Sequence, residues 1–435
     1  MSYHTVVLQI LVNAVLSRAT KLDFHYAEKL QSHLHADIAK QHNQWVQANH
    51  SCQLHGTHDP VTRLGRNKDP DSSKFSREED PSETDPFCTL TSNTFLGGRG
   101  ISVVTKPEIA EKIASLPAFG LKERPVLRDD RPPPYEIKHV VGKGMGMIAN
   151  RTIFRGERLF ANAVTGIFHN EAFLARSARE YRLRTDLIEK AVHQLPGDSR
   201  KKFHAMIGQP GGHSEVVGKL NVNTFSEDFG GEEHSIMIPE PARMNHDCRP
   251  NAMYYFDPRT LVHYTHAART IYAGEEITIT YIDPLQTREK RLEAIQRSWG
   301  FDCACALCTQ PLVYTEASDG RIEAINQLVE VLAGTKNRTD NRVTTDEEKP
   351  KMAELLVDLY EQERLYSHVA DAWMWVALLY QKAGKKWEAL KWTYRSEEGI
   401  LIHEGPGNHG PTRMSNMIFD LSVQLGLEDE LVDNA

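Results

Sequence analysis

Three cysteines crowded into six residues, Cys303, Cys305 and Cys308 of GFDCACALC, constrain this chain more than any other feature. Thiols at C-x-C-x2-C spacing suit zinc, and a closed structural zinc takes four ligands in a tetrahedron. The fourth must come from elsewhere in the fold. Cys248, in RMNHDCRPN, is the only cysteine between Cys88 and the cluster. A site built from Cys248, Cys303, Cys305 and Cys308 would tie the end of one strand-rich region back to its middle. Unmetallated buried thiols are the plainer alternative, which this spacing disfavours.

The 435 residues allow two or three domains. A formal net charge of −8 removes the general basic field that broad nucleic-acid binding needs, so no direct nucleic-acid contact is expected. A basic partner, such as a lysine-rich protein tail, suits this sign better. No apolar run reaches membrane-spanning length. The opening stretch HTVVLQILVNAVLSRATK has two readings: a weak secretory leader over residues 1–19, or one face of an ordinary helix. The first would permit a Cys52–Cys88 disulfide; the second leaves both as free thiols.

Residues 1–57 read as an N-terminal helical segment and 58–86 as a polar, proline-dotted linker or long surface loop. An extension over 87–134 begins with a strand at Ile101–Thr105 and a helix with Pro107 in its first turn. From Tyr135 to residue 283 short strands alternate with glycine turns, interrupted by helical spacing at about 170–208. This is an α+β pattern, not a doubly wound alternation. Residues 284–310 carry the cysteine cluster, and 311–435 read as all-helical. Ala377, Tyr380, Gly384 and Ala389 match part of one tetratricopeptide repeat, too little for a free array, so a docked helical module is expected.

Two further motifs carry chemistry. GKGMG, Gly142 to Gly146, sits between strand-like runs and lets backbone approach a ligand, although glycine turns between strands are common. GEEITITY ends at Tyr281, which alone reads as cross-strand packing.

Taken in order, the glycine loop, RMNHDCRPN, GEEITITY and WGFDCACALC resemble the signatures of the SET-domain protein-lysine methyltransferases. In particular they look like the SET and MYND subgroup and fungal SET-domain-containing proteins. The resemblance implies a SET-type fold of short twisted strands with a helical insert, a zinc-binding post-SET segment and a helical, tetratricopeptide-like C-terminal domain. It implies S-adenosyl-L-methionine as cofactor, cradled by Lys143, Gly144 and Met145, held by Asn245 and His246 with Asn223 as a further polar contact, and packed by Phe301. Tyr281 would be the active-site tyrosine, and the NHDC segment would thread beneath the loop leading to it. Tyr254, Tyr255 and Phe256 would wall a lysine channel or simply pack their strand. The zinc would be structural and would hold Trp299 and Phe301 in place.

The sequence departs from that pattern at Asp247, where a serine is common, and at Met145. It also lacks the cysteines of a MYND module between Phe168 and Ala242. The expected function is methyl transfer to a lysine of a protein substrate by a monomer; the alternative is a catalytically weak SET scaffold serving protein interaction. Thiolate ligands and the cofactor supply favour nucleus or cytoplasm, against the secretory pathway that a leader would imply.

Overall fold

The computed structural model describes residues 85–120, 132–209, 214–334, 348–406 and 409–427. The readings of residues 1–57, of the leader, of Cys52 and of nearly all the 58–86 linker lie outside these residues. In chain order the strands are β1 (Cys88–Ser92), β2 (Ile101–Thr105), β3 (Tyr135–Val140), β4 (Gly144–Ala149), β5 (Arg158–Ala163) and β6 (Gly166–His169). They continue with β7 (Thr224–Phe229), β8 (Glu232–Met237), β9 (Asn245–His246), β10 (Ala252–Asp257), β11 (Val262–Ala267) and β12 (Glu276–Ile279). The helices are α1 (Pro107–Ala114), α2 (Ala178–His193), α3 (Gly197–His204), α4 (Glu215–Asn223) and α5 (Arg288–Trp299), then α6 (Leu312–Leu332), α7 (Glu348–Gln362), α8 (Val369–Lys382), α9 (Lys386–Glu404) and α10 (His409–Leu425). Among the described residues, no helix is long and apolar enough to cross a membrane.

The chain packs into two compact units that do not follow the linear segments of the sequence. One contains the described residues up to 120 together with Val164–Pro239, around a five-stranded sheet ordered β1-β2-β6-β8-β7. Parallel pairing of β2 with β6, Ser102 opposite Gly166, inserts the early extension into the same sheet as the later strands. Both strands are buried along their whole length, as parallel strands covered on two faces are, so that even Ser102 and Thr105 of ISVVT are withdrawn from water. Helix α1 starts at Pro107 and buries Ile109, Ala110 and Ile113. Ser177 caps α2 by accepting from the Glu180 amide, and Ser214 caps α4 by accepting from Val217.

The other unit holds Pro125–Ala163 and Glu240 onward. It carries a three-stranded sheet, β10-β11-β5, and a four-stranded sheet, β3-β4-β12-β9. Helices α6 to α10 share one apolar core through residues such as Ile325, Leu356, Val376, Leu390 and Met417. Each such side chain contributes roughly 1.5–3 kcal/mol by leaving water. The helices are docked on the strands of the same unit. Arg155 pairs with Glu398 at 2.7 Å while its guanidinium lies 5.4 Å from the Trp373 ring, and the Tyr255 ring fills the space where a Cβ on Gly405 would stand. The described residues beyond Pro311 are predominantly helical.

Candidate functional site

The glycine loop is a tight hairpin. β3 and β4 pair antiparallel with Val140 opposite Gly144, and the Lys143 amide donates to the Val140 carbonyl at 3.0 Å. Gly142 and Gly144 hold φ of +74° and +77°, a region that costs a side chain strain. Gly146 is required for a different reason. A Cβ there would come within 2.8 Å of Asn245 Nδ2, Glu276 Oε1 and Val140 Cγ2.

Those atoms mark the centre of the site. β9 runs parallel to β12, with Asn245 opposite Thr278 and His246 opposite Ile279, and the Asp247 amide extends the pairing by donating to the Ile279 carbonyl. The NHDC segment is thereby laid beside the strand that leads to Tyr281. The Glu276 carboxylate accepts from Asn245 Nδ2 at 2.8 Å and from Lys143 Nζ at 2.7 Å. One carboxylate thus joins the glycine loop to the Asn-His segment. Sequence reasoning used GEEITITY only for its tyrosine; an acidic residue at the start of a strand resembles ordinary solvated polarity, and its partners lie more than thirty residues away.

His246 is buried and turned inward. Its Nδ1 accepts from the Tyr281 amide at 3.1 Å, and Nε2 lies 3.4 Å from Cys248 Sγ. A backbone amide can only donate, and burial lowers the imidazole pKa to about 4, so the ring is neutral with its proton on Nε2, facing the sulfur. The ring therefore supports the site from behind. Tyr281 donates its hydroxyl to the Met244 carbonyl at 2.7 Å, and its ring lies 5.3 Å from both His246 and Trp299. Burial, with a smaller contribution from Glu276, pushes the phenol well above its ordinary pKa, so it stays protonated.

Phe301 stands at the edge, 38% exposed, with its ring 6.4 Å from that of His246. It follows Gly300, whose left-handed conformation ends α5 by returning its amide to the Gln296 carbonyl. Asp247, flagged as a departure, accepts from the Arg249 amide at 2.8 Å and so shapes the turn into Cys248. Burial raises its carboxyl to about 6.

The four candidate ligands come together. Cys248, Cys303, Cys305 and Cys308 are all buried, with their sulfurs within 4.8 Å of one another; Cys248 lies 3.5 Å from Cys308 and 4.0 Å from Cys303. A tetrahedral ion bound to sulfur at about 2.3 Å sets sulfurs about 3.8 Å apart, so the cluster has the size of a closed metal site. Hydrogen bonding among the neighbouring thiols couples the ionisation of all four.

Asn223 lies at the end of α4 in the other unit, where its amide donates to the Lys219 and Ile207 carbonyls. Tyr254 stacks on His263 at 4.7 Å, and Tyr255 stacks on Tyr264 at 4.9 Å and on His266 at 5.6 Å. For these two tyrosines the packing role is the one seen.

Comparison with known proteins bears on the same segment. Residues 144–282 match the SET domain family. Histone-lysine N-methyltransferase set5 of Schizosaccharomyces pombe is 32% identical over 181 residues, covering 40% of this chain and 50% of the relative. A putative SET domain-containing protein, L678, of Acanthamoeba polyphaga mimivirus is 28% identical over 34% of this chain and 57% of its own. N-lysine methyltransferase SMYD2-A of Danio rerio is 34% identical over 22% of each chain. The chain thus spans about half the length of the first two and about a fifth of the third. The knot of Asn245, His246, Glu276 and Tyr281 falls wholly inside the matched segment, and that segment is similar to the SET domain family and to the SET5 and SMYD lysine methyltransferases.

Proposed function

We propose that the protein is an S-adenosylmethionine-dependent methyltransferase acting on lysine side chains of a protein substrate. The observation that carries the reading is the junction beside Tyr281 at which Glu276 and Asn245 of the SET segment meet Lys143, the residue just before that segment. S-adenosylmethionine is zwitterionic at its amino-acid end and aromatic at its adenine end. The partly exposed Lys143 ammonium and the Glu276 carboxylate offer opposite charges to the first, and the open face of Phe301 offers packing to the second. The residues present therefore suit the group. Bound there, the cofactor supplies an electrophilic methyl on a sulfonium.

The chain's own residues would do the rest by positioning. A lysine amine reacts only when neutral, and withdrawal from water lowers its pKa toward that form. Tyr281 spends its proton on the Met244 carbonyl, which leaves the phenol oxygen's lone pairs free to accept from the amine and to aim its nitrogen. No covalent intermediate is needed, because orientation alone can supply several powers of ten in rate. Cys248, Cys303, Cys305 and Cys308 would hold a structural zinc; four thiolates close its shell and leave no position for water. Its task would be to fix the segment bearing Trp299 and Phe301. A chain of net charge −8 suits a lysine-rich substrate segment.

Incubation with isotopically labelled S-adenosylmethionine and core histones or a total protein extract should place label on lysine side chains, read by mass spectrometry. Saturable cofactor binding with no label on any lysine would instead favour the interaction scaffold. Gly146→Ala provides a finer check. The new methyl can be accommodated only by displacing the Asn245 and Glu276 side-chain ends, so cofactor affinity should fall about tenfold, or about 1.4 kcal/mol, while the melting temperature moves by a few degrees.

A further inference from the structure

Arg249 lies between Cys248 and Asn251 in the NHDCRPN segment, yet the chemistry above makes no use of its side chain. Its guanidinium donates to the Cys248 carbonyl at 2.8 Å and to the Pro284 carbonyl at 3.2 Å, bridging the backbone on either side of the site: the cysteine ligand and the turn three residues past Tyr281. Its remaining amino group meets Glu363 at 2.5 Å. Glu363 follows the last turn of α7, in the helical region, and both side chains are nearly sealed from water at 7% and 1% exposure. The same carboxylate also accepts from Ser318 at 2.8 Å and from Arg321 at 2.7 Å, both on α6. Burial pushes the Glu363 carboxyl up, but the hydrogen bonds from Arg249, Ser318 and Arg321 outweigh it, and the group is held below its ordinary range as a carboxylate.

A buried charge pair is a weak way to gain stability, since its desolvation offsets much of its attraction. Its geometry here suggests another use. We propose that Glu363 is a positioning residue for the SET site, acting through Arg249 to fix the backbone at Cys248 and Pro284, so that the helical region sets the spacing between the Asn-His-Asp-Cys segment and the Tyr281 turn. Only its consequence for cofactor binding rests on the methyltransferase reading. Helices α6 and α7 are then part of the catalytic framework and not merely a surface for partners.

The test compares wild type with two variants. Arg249→Met/Glu363→Gln removes both charges together, which avoids stranding one of them in the interior. Arg249→Lys keeps the charge but replaces the forked donor by a point charge that cannot span Cys248, Pro284 and Glu363 at once. Hydrogen exchange is followed at the amides of 247–251 and 282–286, with the melting temperature and S-adenosylmethionine affinity measured alongside. Expected is at least tenfold faster exchange in these two stretches in both variants, with core amides of β10 and β11 unchanged, and cofactor affinity lowered at least tenfold. Wild-type exchange in both stretches in the folded Arg249→Lys protein would overturn the proposal. So would faster exchange spread evenly over the whole unit, which is what loss of stability alone produces. Should the wild type itself fail to bind the cofactor, the methyltransferase reading falls, while the exchange pattern still decides the role of Glu363.

Discussion

Cys303→Ser should lose its metal and most of its cofactor affinity together, and melt at least about 10 °C lower than the parent chain. A structural zinc contributes about 10–16 kcal/mol in small peptides, comparable with the whole stability of a typical domain, and three thiolates retain only part of it. The four sulfurs sit in one buried cluster whose apolar surroundings include Tyr281, Trp299 and Ile295. The segment from Gly300 to Cys308 forms no regular element beyond turns, so a metal held by its sulfurs would be a principal anchor for it. Phe301 lies in that segment, which is why affinity should fall with stability. Metal analysis, thermal melting and titration with S-adenosylmethionine check the three parts; a variant that loses metal but binds cofactor as the parent does would separate the cluster from the site.

Tyr281→Phe should do the opposite: leave binding and fold nearly intact while lowering turnover about 10²- to 10³-fold. The ring keeps its contacts with His246 and Trp299, and the backbone amide still donates to His246. Only the hydroxyl is lost, together with its hydrogen bond to Met244, at a cost to stability of about 1 kcal/mol. If the phenol oxygen aligns the amine, misalignment acts on the chemical step and not on the cofactor, whose affinity should stay within about threefold. Single-turnover kinetics beside equilibrium binding separates the two; unchanged turnover would assign Tyr281 to packing.

The parts of the site legible in the sequence were those signalled by rare residue types or by local pattern. Cysteines announce themselves, and Cys248 could be joined to the cluster by elimination. ISVVT reads as a short strand because β-branched residues crowd it, and Pro107 marks a helix start by its fixed φ. What stayed hidden depends on pairings far apart in the chain. Parallel registration of β2 with β6 places an early extension within a later sheet, and no periodicity reports that. Glu276 joins Lys143 and Asn245 across 133 and 31 residues, and Glu363 reaches Arg249 across 114. Before folding each is one acidic residue among 59.

The most direct test of the account is isothermal titration of folded, metal-analysed protein with S-adenosylmethionine, run in parallel on Glu276→Ala. The account predicts saturable binding by the parent, about one zinc per chain, and at least tenfold weaker binding by the variant, which frees both the Lys143 loop and Asn245. Absence of binding by the folded, zinc-loaded parent, or equal binding by Glu276→Ala, would contradict it.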